Sequence, residues 1–451
     1  MQQIATANAN ASRAFFVRML TRDITVEDCI LDLMDNSVDS AWKKLGKKPL
    51  TLTGGPSFKG VRIEVVFDDA KFRISDNCGG MSQASAENHA LTFGRVEDDP
   101  ADSGEFSIGV YGIGLKRAIF KIGALIEIRS SYEGKSGKES FAVPIDVNQW
   151  VEDRSDHWTF PIIKAEPLDD NGVSINIQSL TSLAQLTFAN PEFEGHLVRT
   201  IARDYALHLH RGLEIFVNGQ KVIGEDFRLY TGGDFTPQFV QWTEEVDGKK
   251  IAVEIVAGFA FPPPPNNDPA ERREREAKSG WYVACNGRIV MAADKSDLTV
   301  WGADFPAWHP QYTGFLGMIS FSTEHTELLP LTTTKRSVDL SSIVYRRSRP
   351  KMKDSTRIWI NYTNTRKSDL AAAEAIEQQA KREPIFSVKP QPQLALPSIS
   401  KVKVKETIIQ FPMPKGRITA LGEAFGNKQM SAREVGIQAF DYAYEELVTN
   451  E

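Results

Sequence analysis

Three polar residues recur at four-residue spacing in the stretch 30–40, which reads Ile-Leu-Asp-Leu-Met-Asp-Asn-Ser-Val-Asp-Ser. They are Asp32, Asn36 and Ser40, and helical geometry places them on one face. Apolar residues at 30, 33, 34 and 38 would pack inward. Such a stripe is ordinarily a solvated surface. Here a carboxylate stands one turn before a carboxamide, and this pair suits a hydrated divalent cation and an attacking water.

Two later stretches are suited to holding a nucleotide. The first is Ile74-Ser-Asp-Asn-Cys-Gly-Gly-Met81, where a strand ends and two glycines permit close backbone approach. The second is Gly109-Val-Tyr-Gly-Ile-Gly-Leu-Lys116, where three glycines precede an apolar helix whose N–H groups would face phosphate. Either stretch alone is an ordinary turn. Their candidate site residues are Asp76, Gly80, Met81, Gly109, Gly112, Ile113, Gly114, Leu115 and Lys116.

In this order, the three stretches resemble the nucleotide site of the GHKL ATPases. That superfamily includes the gyrase B subunit, MutL, the heat-shock ATPase chaperones, histidine kinases and the Microrchidia (MORC) proteins. Its motifs are Glu-x-x-x-Asn on a helix, Asp-x-Gly-x-Gly and Gly-x-x-Gly-x-Gly. The resemblance implies ATP and Mg²⁺ as ligands, with Asn36 holding the metal and Asp76 accepting a hydrogen bond from the adenine amino group. It also implies a hydroxyl residue behind the adenine, which would be Ser174 in the strand 172–177.

The resemblance further implies ATP hydrolysis, with Asp32 orienting or deprotonating the attacking water. The hydrolysing relatives place Glu there, and Asp is shorter by one methylene, or roughly 1.5 Å of reach. We therefore expect a slow ATPase. A second departure is Cys78, which stands where the family pattern has its first glycine. The stretch 329–336 resembles the second-domain loop that reaches back to the γ-phosphate in relatives, which makes Lys335 a catalytic candidate.

The implied fold class is α+β in three parts. A GHKL (Bergerat) α/β sandwich is expected over 1–185 and an S5-like α/β transducer domain over 186–345. A basic helical and Pro-rich region is expected over 346–451. Within the second part, strand, Asn-Gly turn, strand patterns predict hairpins, and the turn Asn286-Gly287-Arg288 is similar to one in MutL and MORC.

Other segments carry further expectations. A flexible lid over the nucleotide is predicted at 91–112. A basic helix is predicted over 339–368, with an interruption at Pro350. The proline-containing segment 383–414 is predicted to be an extended linker or a strap that adds to a neighbouring sheet. A last amphipathic helix is predicted over 431–448.

Size and composition fit a soluble protein of two or three domains. The chain has 451 residues, of which 41% are hydrophobic and 25% charged. It has no apolar run of about eighteen residues, and its polar first residues do not form a signal peptide. Three cysteines lack metal-ligand spacing and are expected to be reduced thiols. These features predict a cytoplasmic protein without a membrane span.

Charge is distributed unevenly along the chain. Residues 346–451 carry 18 Lys and Arg against 12 Asp and Glu, a net charge of +6, so residues 1–345 carry −12. The cluster Arg346–Lys353 is therefore a candidate nucleic-acid contact, although a solvated helix has the same pattern. The C-terminal region is also a candidate for binding partner proteins.

The family layout implies a homodimeric, ATP-gated clamp. Two alternatives stay open: an ATP-dependent dimerisation switch without turnover, and a chaperone-like ATPase. A histidine kinase is disfavoured because no His precedes His89. The MORC and MutL resemblance favours a DNA-linked role, and in bacteria such proteins could act in genome or antiviral defence.

Overall fold

The computed structural model describes residues 12–46, 49–92, 107–109, 112–153, 155, 158–262, 268–302, 305–332, 334–399 and 408–448. It divides into two compact units, Met1–Ile399 and Ser400–Glu451. Most of the predicted lid lies outside the described residues, as do the residues ahead of Ser12. The domain limits at 185 and 345 stay a prediction.

The helices and strands alternate along the first unit, and the second unit is helical. The helices are α1 (Arg13–Thr21), α2 (Val26–Lys44), α3 (Gln83–Ser85), α4 (Gly114–Ile122), α5 (Val147–Glu152), α6 (Ser182–Phe188), α7 (Pro191–Asp204), α8 (Ala206–His210), α9 (Pro269–Lys278), α10 (Ile343–Arg366), α11 (Leu370–Gln379), α12 (Lys415–Ala424) and α13 (Ala432–Val448). The strands are β1 (Arg62–Phe67), β2 (Lys71–Asp76), β3 (Gly123–Gly134), β4 (Gly137–Asp146), β5 (Ile163–Lys164), β6 (Gly172–Leu180), β7 (Glu214–Val217), β8 (Gln220–Lys221), β9 (Arg228–Thr231), β10 (Gln238–Val246), β11 (Lys249–Phe259), β12 (Gly280–Cys285), β13 (Arg288–Asp294), β14 (Phe315–Ser322) and β15 (Lys381–Pro384).

The first sheet has the strand order β5-β4-β3-β6-β2-β1-β7-β8. Its neighbours run antiparallel except for β1 and β7, which are parallel. One face is apolar because alternate strand residues such as Ile74 and Ile177 pack against α2, α4, α6 and α7. This arrangement of helices on a mostly antiparallel sheet confirms the predicted α+β class.

Helix α2 begins and ends where its sequence specifies. Thr25 is the N-cap, since its Oγ1 accepts a hydrogen bond from the Asp28 N–H at 3.0 Å and donates to Asp28 Oδ2 at 2.7 Å. The first bond is the N-cap contact of a capping box, whereas the Asp28 carboxylate accepts from the Thr25 hydroxyl and not from the Thr25 backbone N–H. Gly46, with φ +86°, follows the last turn. The helix is buried along most of its length, so it is an internal element rather than a solvated surface helix.

The second sheet has the order β10-β11-β14-β12-β13 and carries α10. Trp281 of β12 and Trp359 of α10 are completely buried in a separate core. The Trp281 Nε1–H donates to Thr356 Oγ1 at 3.1 Å, and the Trp359 Nε1–H donates to the Tyr312 carbonyl at 2.9 Å. Buried indole N–H groups with partners fix the helix against the sheet.

Helix α10 continues through Pro350, so the predicted interruption there is wrong. Proline removes one helical hydrogen bond and crowds the preceding turn. On either side of it, the same face buries Tyr345, Ser348 and Met352 against the second core. This burial holds the helix together across the proline.

The segment after α11 runs back beside β9 and the start of β10. Strand β15 pairs antiparallel with β9. Further on, Phe239 and Gln391 exchange N–H to carbonyl bonds of 2.9 Å, and so do Thr236 and Ala395. Part of the predicted strap is therefore an added strand-like segment within its own unit.

The far face of the first sheet borders a cavity of about 1030 Å³, and none of the sequence-predicted site residues lines it. Outward strand residues such as Arg73, Asn176 and Gln178 line it, beside Trp150 and Phe160.

The second unit contains α12 and α13, which pack around Gly422 and Val435. Among the described residues, no helix is long and apolar enough to cross a membrane.

The first unit has two halves, one built on the first sheet and the other on the second sheet. His208 of α8 is completely buried where these two halves meet. Its ring lies against Trp42, Phe58 and Tyr205. Among the described residues, neither ring nitrogen has a hydrogen-bond partner. Burial, aided by the Arg288 charge, lowers the pKa of His208 from 6.5 to about 3. The native state therefore holds this ring neutral.

The pKa of His208 predicts a loss of stability in acid. Below pH 6.5 the unfolded chain takes up a proton that the native state refuses, so stability falls by about 1.4 kcal/mol per pH unit until the pH nears the folded pKa. His208→Phe should remove this part of the slope between pH 8 and pH 5, as measured by urea unfolding. His196→Phe, at an exposed side chain, is the control. Equal slopes in His208→Phe and wild type would contradict the prediction.

Candidate functional site

The polar residues of α2 divide into a buried set and an exposed one. Asp32, Asp35 and Asp39 are buried, whereas Asn36 is exposed and Ser40 is half-buried. Buried carboxylates need compensating charges or donors. The partners of these three aspartates therefore show what surrounds the predicted site.

Asp32 is held by two cations from distant parts of the chain. Arg117 of α4 donates from Nε and Nη2 to Asp32 Oδ2 at 2.8 and 2.7 Å. Lys335 Nζ lies 3.2 Å from Asp32 Oδ1. Burial alone would raise the pKa of Asp32, but Lys335 and Arg117 outweigh it and hold the pKa below its usual range. The carboxylate is thus ionised, and both of its oxygens are engaged.

Lys335 reaches α2 from the loop after β14. Its Nζ donates to Asp35 Oδ2 at 2.7 Å, and its side chain is only 6% exposed. Its backbone has φ +54°, an uncommon conformation for a residue with a side chain. Burial would lower the pKa of Lys335, but Asp35 and Asp32 outweigh this and raise it. The structure thus brings Lys335 and Asp32 together.

Asp35 was not singled out from the sequence, yet three side chains donate to it. Tyr205 donates to Asp35 Oδ1 at 2.7 Å, and Lys335 and Arg288 both donate to Oδ2. Asp35 lies off the 32-36-40 stripe, so periodicity gave no signal for it. Its position directly before Asn36 is the one feature that links it to the motif.

Asp76 stands at the end of β2, facing α2. The Ser37 hydroxyl donates to Asp76 Oδ2 at 2.6 Å, and the Cys78 and Val173 N–H groups donate to Oδ1 at 2.9 and 3.3 Å. Burial raises the pKa of Asp76, which these donors offset only in part. Asp76 is half-buried and accepts at both oxygens, and a carboxyl in such a position suits recognition of a single amine.

The turn after Asp76 needs glycine at two positions. Gly79 and Gly80 have φ of +103° and +76°, while Cys78 does not have a positive φ. A side chain on Gly80 would lie 2.0 Å from the Ser131 carbonyl oxygen. The missing glycine at position 78 is therefore no obstacle to this turn. Met81 is fixed to β3, since its N–H donates to Ser130 Oγ at 2.7 Å and its carbonyl accepts from the same hydroxyl at 2.8 Å.

Asp39 holds the start of the predicted phosphate loop. It accepts from Ser107 Oγ and the Ile108 N–H, both at 2.7 Å, and from the Gly109 N–H at 2.9 Å. Burial nevertheless raises the pKa of Asp39. We refer to residues 107–116 as the phosphate loop; its residues 110–111 lie outside the described part of the chain. No sequence pattern pointed to Asp39 beyond its place on α2.

The phosphate loop continues into α4 beside Asp32. Gly112 has φ +66°, and a side chain on Gly114 would lie 3.5 Å from Asp32 Oδ2. Ile113 is the N-cap and makes no side-chain hydrogen bond, so α4 begins without a side-chain cap at Gly114 and Leu115. Such a terminus has the N–H groups and the dipole sign that favour an anion.

Lys116 points back into the loop. Its Nζ donates to the carbonyls of Ala90, at 3.0 Å, and Gly112. Burial lowers the pKa of Lys116 to about 8. The structure thus places this cation on two backbone carbonyls, so that it joins Gly112 to the segment that contains Ala90. A direct charge on phosphate from Lys116 stays a prediction.

Ser174 does not join this group. It pairs with Ser75 across β2 and β6, and opposite residues in an antiparallel pair share a face. Its neighbour Ile175 is in the core, so Ser174 lies on the far face of the sheet. Val173 occupies the position facing Asp76. The structure therefore places Ser174 on the face opposite to Asp76, and Val173, on the Asp76 face, has no hydroxyl.

The residues present fit a Mg²⁺ ion only if another molecule supplies most of the ion's ligands. No group of three His, Cys, Asp or Glu side chains among the described residues could hold a metal ion. Asn36 offers one exposed carboxamide, and Mg²⁺ commonly takes one or two protein oxygens together with phosphates and waters. The donor set therefore suits a metal that arrives with a polyphosphate.

Residues 24–180 match the family model described as histidine kinase-, DNA gyrase B-, and HSP90-like ATPase. No curated protein matches the chain. The matched range begins just before α2 and ends with β6, so it includes Asp32, Asn36, Asp76 and the phosphate loop. Lys335 and Arg288 lie outside it.

Proposed function

We propose that this chain, whose residues 24–180 form an ATP-binding domain of the GHKL superfamily, is a slow Mg²⁺-dependent ATPase that acts as a nucleotide-gated dimeric clamp. The observation that carries the proposal is the position of Lys335, whose ammonium contacts both Asp32 and Asp35 beside the phosphate loop. A cation from outside the matched domain is thereby held where a terminal phosphate would lie.

The charge of this cluster supports phosphate binding. Arg117, Arg288 and Lys335 face Asp32 and Asp35, so these five buried side chains have one positive charge in excess. A terminal phosphate would find that excess next to the N-terminus of α4. Asn36 would hold Mg²⁺, which neutralises phosphate charge when bound. Asp76 would accept the adenine amino group.

Slow turnover follows from the surroundings of Asp32. Arg117 and Lys335 lower its pKa, and a carboxylate of lowered pKa is a weak base. It is also one methylene shorter than Glu. We propose that Lys335 moves from Asp32 towards the γ-phosphate, which frees Asp32 Oδ1 to orient water. The alternative of a switch without turnover is favoured by the engagement of both Asp32 oxygens.

The adenine assignment predicts base selectivity. Asp76→Asn should weaken ATP binding at least tenfold, or about 1.4 kcal/mol, because the amide presents a donor to the adenine amine. GTP should bind the wild type at least tenfold more weakly than ATP does. Calorimetric titration with Mg²⁺ measures both. Equal affinity for ATP and GTP, or an unchanged mutant, would remove this role from Asp76.

The hydrolytic assignment predicts that binding and turnover separate. Asp32→Asn and Lys335→Ala should retain ATP binding and lose phosphate release by about 100-fold, the usual scale for one transition-state contact. Arg336→Ala is the control, since that neighbour pairs with Glu27, Asp28 and Asp204 instead. Normal turnover in Lys335→Ala would refute the mechanism. No turnover in wild type, with ATP bound, would identify the switch.

Support for self-association comes from α13 in the second unit. Ile437, Phe440, Tyr444 and Leu447 are exposed and recur at spacings of three and four residues, the pattern of a coiled-coil seam. Gly436 and Ala443 flank this seam and permit close approach. A seam of about two heptads gives a coiled coil of only marginal stability by itself. A second copy of the helix would therefore pair best when the ATP-bound domains hold it nearby.

The dimer proposal predicts a nucleotide-dependent shape. A non-hydrolysable ATP analogue should produce a more compact dimer in solution scattering, and ADP should not. Phe440→Asp should weaken that dimer at least tenfold, whereas Tyr442→Asp, exposed on another face of α13, should not. Identical scattering with the analogue and ADP would rule out the clamp.

A DNA-linked role, such as genome or antiviral defence, is supported by one face of α10. Arg346, Arg349, Lys353 and Arg357 line a groove of about 330 Å³ together with Pro350 and Asp354. Arg347 and Lys351 face elsewhere, on Glu244 and the Trp242 ring. The groove-lining residues therefore define the candidate contact better than the whole cluster 346–353.

This surface predicts salt-dependent DNA binding. Binding of duplex DNA should weaken steeply with salt, and Arg346→Gln with Lys353→Gln should reduce the log–log slope by about 0.9 per lost phosphate contact. Arg347→Gln with Lys351→Gln is the control on the same helix. Fluorescence anisotropy between 50 and 200 mM salt, roughly the range over which such contacts are lost, measures it. Absence of binding at low salt would refute the nucleic-acid role.

A further inference from the structure

The turn Asn286-Gly287-Arg288 between β12 and β13 enters the space between α2 and the phosphate loop. Asn286 is completely buried. Its Nδ2 donates to the Ser107 carbonyl at 2.8 Å and to the Thr323 carbonyl at 3.0 Å, and its Oδ1 accepts from the Thr323 N–H at 2.9 Å. One side chain thus joins the end of β14 to the start of the phosphate loop.

Ser107 is fixed from two sides. Its hydroxyl donates to Asp39 of α2, and its carbonyl accepts from Asn286 of the second sheet. The next two N–H groups, of Ile108 and Gly109, also donate to Asp39. The first residues of the phosphate loop therefore lie between one anchor inside the matched domain and one outside it.

The turn has little freedom to move. Asn286 and Gly287 have φ of +45° and +81°. A side chain on Gly287 would lie 2.3 Å from Leu50 Cδ2 and 2.9 Å from His208 Cε1. Arg288 is buried against Asp35, directly before Asn36. Through Asn286 and Arg288, this confined turn connects the second sheet to both the start of the phosphate loop and α2.

We propose that Asn286 is a positioning residue that holds residues 107–109, the start of the phosphate loop, in place for nucleotide binding, so that docking of the second sheet sets ATP affinity. This inference rests on the proposed ATP binding. It differs from the role of Lys335, because Asn286 acts through the Ser107 backbone and does not touch the nucleotide.

The test replaces Asn286 with Asp. Aspartate tolerates the left-handed backbone and keeps the bond from the Thr323 N–H, but it cannot donate to the Ser107 carbonyl. We expect ATP affinity to fall at least tenfold. Amide hydrogen exchange over 107–109 should rise at least tenfold in the nucleotide-free protein.

Asn218→Asp is the matched control. Asn218 begins another Asn-Gly turn, with φ of +45°, and its Oδ1 accepts from the Phe67 N–H at 2.9 Å. It lies in an exposed turn between β7 and β8, and its substitution should change neither ATP affinity nor exchange over 107–109. Asn286→Gly keeps the backbone conformation without introducing a charge and should behave as Asn286→Asp does. It therefore provides the same test if the aspartate variant misfolds.

Two outcomes would overturn the inference. Unchanged exchange over 107–109 in both Asn286 variants would show that the contact does not hold the loop. Raised exchange with unchanged ATP affinity would show that the loop position does not set affinity. If the wild type binds no ATP, the proposed function fails separately, because nucleotide-free exchange still decides whether Asn286 anchors Ser107.

Discussion

A buried cluster of opposite charges joins the two halves of the first unit. Helix α2 supplies Asp32 and Asp35, while Lys335 and Arg288 come from the second half. Each ion loses several kcal/mol of hydration on burial, and removal of one partner typically costs about 3–5 kcal/mol. The charges are therefore tolerated only together. The position of α2, and with it every motif residue on that helix, depends on the second half being in place.

The same contacts restrain the chemistry. A carboxylate that holds two cations is stable and weakly basic, so the interactions that fix Asp32 also reduce its ability to activate water. An incoming phosphate would compete for those cations. Nucleotide binding would then exchange contacts within one cluster, and the loop that carries Lys335 would sense the result. Under the proposed function, this exchange would link site occupancy to the relative position of the two halves without a long pathway of coupled residues.

The second sheet contributes more than Lys335. Its Asn-Gly-Arg turn inserts two polar side chains, Asn286 to the phosphate loop and Arg288 to α2. The apolar neighbours of the turn, Leu50 and His208, leave no space for a side chain at Gly287. Steric confinement and hydrogen bonding therefore act at the same place, and both halves hold the first residues of the phosphate loop, 107–109.

Much of the local structure could be predicted from the sequence. Thr25 and Asp28 specify the start of α2 by a contact three residues apart, and glycines at 79 and 80 specify a turn because only glycine adopts that backbone freely. The order of three short motifs indicated the nucleotide-binding domain, which the family match supports. These are local features, and local geometry determines them.

The sequence could not show which residues far apart in the chain come into contact. Asp35 and Arg288 are 253 residues apart, and no periodicity relates them. The face on which Ser174 lies could not be predicted, because the face of a strand residue depends on register. That register is set by the pairing of β6 with β2. Pro350 was expected to break a helix that tertiary burial instead maintains. The sequence determined the elements and the chemistry of the motifs. Only the tertiary structure decided which charges meet, because burial makes a carboxylate depend on whichever cation the fold brings to it.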